Sequence, residues 1–276
     1  MMSSFKRFEF IVGLFLLLMM GGLVIFAPVL FPDGGKTMNF MARLTPPFHA
    51  QFWLGTDPMG RDVLARVATG GKVSFIVGLV SAVGAVLVGT VIGLLAGYYR
   101  GFWDALLMRF ADIQLALPFI LLAITVIAIT GPGLDKIIIL MIVAQWVQYA
   151  RLVRGSVLSL REAEYVQAAK SYGLSNFKIM FSHILPNALG PLVILMMLNV
   201  ANNILLESSL TFLGLGIDPL TPSWGGMLAD GRNYIQTAPW VTIFPGVAIM
   251  LTVLGLNLLG DWLRDRLDPL GRTEKA

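Results

Sequence analysis

Long runs without a charged side chain constrain this chain more than any other feature. Six stretches contain no Asp, Glu, Lys or Arg: Phe10–Leu30, Val73–Gly97, Ile113–Thr130, Ile137–Ala150, Ala188–Leu206 and Val241–Gly260. A helix rises about 1.5 Å per residue and must cross about 30 Å of hydrocarbon, so about 20 apolar residues make a span. The fourth stretch is short, and lengthens to Val153 if the Arg151 side chain reaches the interface. Composition agrees, because only 13% of the 276 residues are charged against about 25% in soluble domains. The expected fold class is therefore all-α: a polytopic membrane protein with six transmembrane helices.

The first stretch is too long and uninterrupted for a signal-peptide core. It ends in "FAPVLFPDGG" without a small-residue cleavage site, which reads as a retained anchor. With six spans both termini lie on one side. Thirteen of the 20 basic residues then fall in short segments on the side of the termini, among them Lys6, Arg7, Arg151, Arg154 and Arg161. The other seven fall on the opposite side, five of them in one long loop. Basic residues near span ends resist translocation, so both termini are expected in the cytoplasm. The expected divisions are 1–32 (N-terminal end and first helix), 33–72 (periplasmic loop), 73–260 (transmembrane domain, with a cytoplasmic loop at about 155–187) and 261–276 (cytoplasmic tail). The charges of that tail, Arg264, Asp265, Arg266 and Asp268, read as a solvated interfacial end.

Several functions are disfavoured at once. Cysteine is absent and only His49 and His183 are present, which leaves almost nothing for a resident metal site or a thiol nucleophile. The net charge of +4 is sorted by membrane side, so it is not a nucleic-acid signal. No Gly-Lys pair leads to Ser or Thr with the spacing of a phosphate-cradling loop. Any use of ATP and Mg must then come from a partner, and no cofactor is expected on this chain.

One polar passage, "EYVQAAKSYGLSNFKIMFSHILPNALGP" (Glu164–Pro191), stands between two apolar spans. Ser159-Leu160-Arg161-Glu162 has the capping-box pattern for a helix over 160–172, and Gly173 stands where a left-handed residue ends it. Ser175 can cap a second helix, and Pro186 fits the entry to the fifth span. At 100° per residue Tyr165, Val166, Ala168, Ala169 and Tyr172 share one arc of the first helix. Two alanines between tyrosines make a low ridge suited to a groove on another protein. Packing on the chain's own body or on the lipid surface is the alternative.

Ala168-Ala169, three residues, Gly173, then Leu185-Pro186 resembles the "EAA" loop of binding-protein-dependent ABC importer permeases. Gln167 stands in place of the glutamate, and His183 where isoleucine is usual. "LGTDPMGRDVLARV" (Leu54–Val67), "PSWGGMLADGR" (Pro222–Arg232) and "FPGVAIMLTVLGLNLLGDWLRDRLDP" (Phe244–Pro269) are similar to the C-type permease subunits of dipeptide, oligopeptide and nickel importers. The resemblance implies a type I importer permease fold whose loop carries a coupling helix. Tyr165, Val166, Ala168, Ala169, Tyr172, Gly173, Leu185 and Pro186 would make the ATPase-coupling surface. It also implies partners: a second permease subunit, one or two cytoplasmic ABC ATPases holding ATP and Mg, and a periplasmic or lipid-anchored binding protein, all in membrane lipid and without nucleic acid. Di- or oligopeptides are the expected cargo, with nickel or another chelated metal as the alternative. An ion-coupled secondary transporter would need acids near the midplane, and the spans offer only Glu207. A non-transporting scaffold would leave the polar passage unexplained.

Remaining polar residues have local readings. Asn199, Asn202, Asn203 and Glu207 at the end of the fifth span are candidate path-lining groups, with hydrogen bonding between helices the alternative for the asparagines. Asp112 is expected to pair with Arg109 one turn away. Thr56 or Asp57 is expected to cap a helix beginning at Pro58, with Arg61 pairing a nearby acid.

Overall fold

The computed structural model describes residues 4–218 and 220–267. Its helices are α1 (Ser4–Leu30), α2 (Val63–Tyr99), α3 (Gly101–Leu115), α4 (Phe119–Thr130), α5 (Leu134–Leu160), α6 (Glu164–Ser171), α7 (Asn176–Ile179), α8 (Leu185–Phe212), α9 (Trp224–Gly231) and α10 (Trp240–Leu267). The fold class is the expected all-α one. Among the described residues, five segments are helical, long and apolar enough to cross a membrane, or six if α3 and α4 form one bent span. Lys6 at the start of α1 pairs with Asp265 near the end of α10 at 2.5 Å, so these two helix ends lie on one side of the molecule. Asp268, Arg272 and Lys275 of the expected tail lie outside the described residues.

Several boundaries differ from the sequence reading. The second span begins ten residues early, at Val63, so the boundary expected at 72/73 falls inside α2. Its cap is Asp62, whose carboxylate accepts from the amides of Leu64 (2.8 Å) and Ala65 (3.4 Å). No helix starts at Pro58; Thr56 and Asp57 belong to the turn that leads into α2. The third span, expected as Ile113–Thr130, is broken: α3 and α4 meet at 84° across residues 116–118. Pro118 supplies no amide and disfavours helical backbone at Leu117, which stops α3 there.

The fourth span is longer than expected. It runs to Leu160 because Arg161 N still donates to Val157 O at 2.9 Å. Ser159 therefore lies inside a helix and the capping box does not form; α6 starts only at Glu164. Glu162 instead meets Arg100 at 3.1 Å. The fifth span, α8, continues to Phe212, so Glu207 lies within it rather than at its end.

The packed body is α2 with α5, α8 and α10. Small residues let α2 and α5 touch backbone to backbone. A Cβ on Gly89 would lie 2.5 Å from Trp146 O, and one on Gly93 would lie 2.5 Å from Ala150 O. In a membrane, where lipid is as apolar as leucine, such close approach is what holds helices together.

Candidate functional site

The passage after α5 folds as helix, glycine turn, helix. Gly173 takes φ +78°, a backbone region that side chains with a Cβ avoid. Gly173 N donates to Lys170 O at 3.0 Å and Leu174 N to Ala169 O at 3.2 Å, the paired bonds of a Schellman end. Ser175 Oγ then accepts from Lys178 N at 3.4 Å and caps α7. A five-residue π-turn, Met180–Ile184, feeds the chain into α8, with Pro186 in its first turn.

The arc read from the sequence is divided by this packing. Val166 and Ala169 are buried against Val157, Ile179, Met180 and Ile184 of the same chain. Ala168, Tyr165 and Tyr172 face out, with Tyr172 85% exposed. Gly173 and Pro186 are exposed and Leu185 is half-buried. Phe177 and Phe181, with ring centroids 4.4 Å apart and planes tilted by 32°, extend the outward surface. Sequence reasoning missed them, although their spacing of four residues on a helix was a readable sign.

This loop is tied to the end of α2. Arg161 donates to Tyr98 O at 2.6 Å, and Tyr98 Oη donates to Asn176 Oδ1 at 2.8 Å. Nearby, two arginines of α5 hold α3. Arg154 binds Asp104 through two bonds of 2.5 and 2.7 Å, and Arg151 binds Asp112 at 2.6 Å. Asp112 thus pairs across helices and not with Arg109, since α3 and α5 run side by side here.

A polar seam runs through the body. Glu207 is fully buried and accepts from Ser74 (2.9 Å), Thr211 (2.9 Å) and Ser208 (3.4 Å). Asn203 Nδ2 donates to Gly78 O at 3.2 Å and its Oδ1 accepts from Gln145. Asn199 Nδ2 donates to Tyr149 Oη at 3.0 Å and Gln148 Oε1 at 3.3 Å. These three groups bond helix to helix inside the chain. Asn202 alone of the four candidates is exposed.

At the opposite end of α2, Asp57, Arg61, Arg66 and Asp230 form a closed ring of ion pairs. Asp57 Oδ2 meets Arg61 Nε at 2.6 Å and Arg66 Nη1 at 2.5 Å; Asp230 Oδ2 meets the same two side chains at 2.9 and 3.0 Å. Asp57 and Arg66 are buried. Burial raises the Asp62 carboxyl above the usual carboxylate range, against the lowering effect of the amides it caps. Trp224 Nε1 donates to Val67 O in the first turns of α2, and Trp240 Nε1 to Thr56 O in the loop before it, fastening α9 and α10 to this end of the molecule.

The family described as "Binding-protein-dependent transport system inner membrane component" matches residues 89–272. The dipeptide transport system permease protein of Alkalihalophilus pseudofirmus is 46% identical, over 94% of this chain and 85% of that protein. The glutathione transport system permease protein of Pectobacterium atrosepticum is 41% identical, over 93% and 85%. The di/tripeptide transport system permease protein of Pseudomonas aeruginosa is also 41% identical, over 93% and 86%.

Proposed function

We propose a function from one premise: the chain belongs to the family of binding-protein-dependent transport system inner membrane components. It is a multi-pass inner membrane protein and a transport subunit rather than an enzyme. We assign it half of the translocation path of an ATP-driven importer of di- or oligopeptides. The relatives named above are dipeptide, di/tripeptide and glutathione permeases, which favours peptide over nickel as cargo.

One observation carries the mechanism: the exposed surface of Ala168, Tyr172 and Phe177, held by a glycine turn and tied to α2 and α5. A rigid protrusion fastened to two long spans can pass motion from a partner to those spans. We place it in the cytoplasm with both termini, following the distribution of basic residues. Its partners are then a cytoplasmic ATPase pair that binds ATP and Mg, a second permease that completes the path, and a binding protein that delivers peptide. Motion of the ATPases tilts α5 and α2 together and switches the path between outward-open and inward-open.

The chain contains no cysteine, so single cysteines give an unambiguous test. Ala168→Cys and Tyr172→Cys should cross-link to the ATPase subunit in the assembled transporter, and a reporter fused after Ala276 should be active only in the cytoplasm. An extracellular reporter, or cross-links to other subunits alone, would remove the coupling role.

A further inference from the structure

We propose that Gln148 and Asn202 form a substrate-facing amide pair in the translocation path, hydrogen-bonding the backbone of the passing peptide. The proposal rests on the peptide-permease reading above. It starts from the way α5 and α8 are joined. Gln148 and Tyr149 bond Asn199, whereas Gln145 bonds Asn203. The contact moves back along α5 as it moves forward along α8, so the two helices are antiparallel.

That register fixes where the neighbouring residues point. At 100° per residue Gln148 is turned about 80° from the centre of the α5 contact, and Asn202 about 80° in the same sense from the centre of the α8 contact. In an antiparallel pair, equal turns in the same sense bring both side chains to the same side. α2 covers the other side, where Asn203 bonds Gly78 O and Ile204 packs on Gly78. Both amides are exposed, close to the middle of their spans. Among the described residues, Asn202 makes no hydrogen bond, and the Gln148 amide nitrogen donates none.

Two carboxamides with free donors cannot face hydrocarbon without losing their hydrogen bonds to water. On the α5 side the surface beside Gln148 is low. Ala144 lies one turn before Gln148 on the same stripe of α5, and Gly155 two turns after it, where an added Cβ would meet nothing within 4 Å. A peptide repeats an amide donor and acceptor along its length, and a carboxamide offers both without a charge. A neutral amide pair therefore suits cargo that varies in its side chains and keeps its backbone.

The test uses the complete transporter, with its second permease, ATPases and binding protein, in membrane vesicles. Gln148→Cys and Asn202→Cys should react with a charged, water-soluble methanethiosulfonate at least about tenfold faster than Val143→Cys, whose position is exposed and apolar, because only a hydrated thiol forms the reactive thiolate. Dialanine with the binding protein should slow that reaction. Gln148→Leu combined with Asn202→Leu should still co-purify with the partners yet take up dialanine about tenfold more slowly, with Gln148→Asn restoring most of the rate. Labelling no faster than at Val143, or undiminished uptake by the double variant, would overturn the proposal. A wild-type complex that took up neither dialanine nor trialanine would count against the peptide reading and against peptide as this pair's ligand, while the labelling still decided whether the face lines a wet path.

Discussion

At the scale of single residues, two adjacent alanines have opposite surroundings. Ala169 is buried among Val157, Val166 and Ile179 of its own chain, whereas Ala168 is exposed. A carboxylate at Ala169 would be desolvated without a partner, which costs several kcal/mol, about 3 or more. Ala169→Glu should therefore lower the melting temperature of the purified chain in detergent. Ala168→Glu should leave that temperature within a few degrees and reduce co-purification of the ATPase instead. Equal thermal losses in both variants would contradict the assignment of faces. The helical arc of Tyr165, Val166, Ala168, Ala169 and Tyr172 was legible from spacing alone. Which half of it turned inward was not, because a local period does not reveal where the rest of the chain lies. The same holds for Glu207, conspicuous as an acid beside apolar residues, whose hydroxyl partner Ser74 is 133 positions away.

At the scale of elements, the glycine turn and the α2–α5 crossing make separate demands. Valine at position 173 would have to adopt φ near +78°, which a β-branched residue resists by about 1–2 kcal/mol. We expect Gly173→Val to leave the membrane body folded and to expose the α6–α7 turn, measured as faster proteolytic cutting between residues 164 and 180. At Gly93 the obstacle is a neighbouring backbone, since a Cβ would sit 2.5 Å from Ala150 O. Gly93→Leu should separate α2 from α5 and abolish the monodisperse peak in size-exclusion chromatography; a normal profile would refute that packing. Existence and type of the long helices were legible in their apolar runs. Their ends were less so, because α5 continues past a capping signal at Ser159 and the backbone restriction at Leu117-Pro118 cuts the third run. The Leu-Pro pair was visible in the sequence, but a proline alone does not say whether a helix bends or stops.

At the scale of the whole molecule, α2 joins the two ends of the protein. Its 37 residues extend about 55 Å, well beyond the hydrocarbon thickness. It starts at the ring of Asp57, Arg61, Arg66 and Asp230 and ends at Tyr98, which holds the α6–α7 loop. Sequence reading anticipated Arg61 with a nearby acid, and could not supply Asp230, which arrives from α9 more than 160 positions later. The ring balances two carboxylates against two guanidiniums, so its stability depends on keeping that balance. Removing Asp57 alone leaves Arg66 buried with one acid shared between two arginines, and breaking a buried pair in this way costs about 3–5 kcal/mol. Removing Asp57 and Arg66 together restores neutrality and leaves Arg61 with Asp230. Asp57→Leu should therefore melt well below the wild type in detergent, and Asp57→Leu with Arg66→Leu should melt above Asp57→Leu alone. If the double variant were instead the less stable by the sum of both single losses, the four side chains would contribute independently and the ring would not act as one unit.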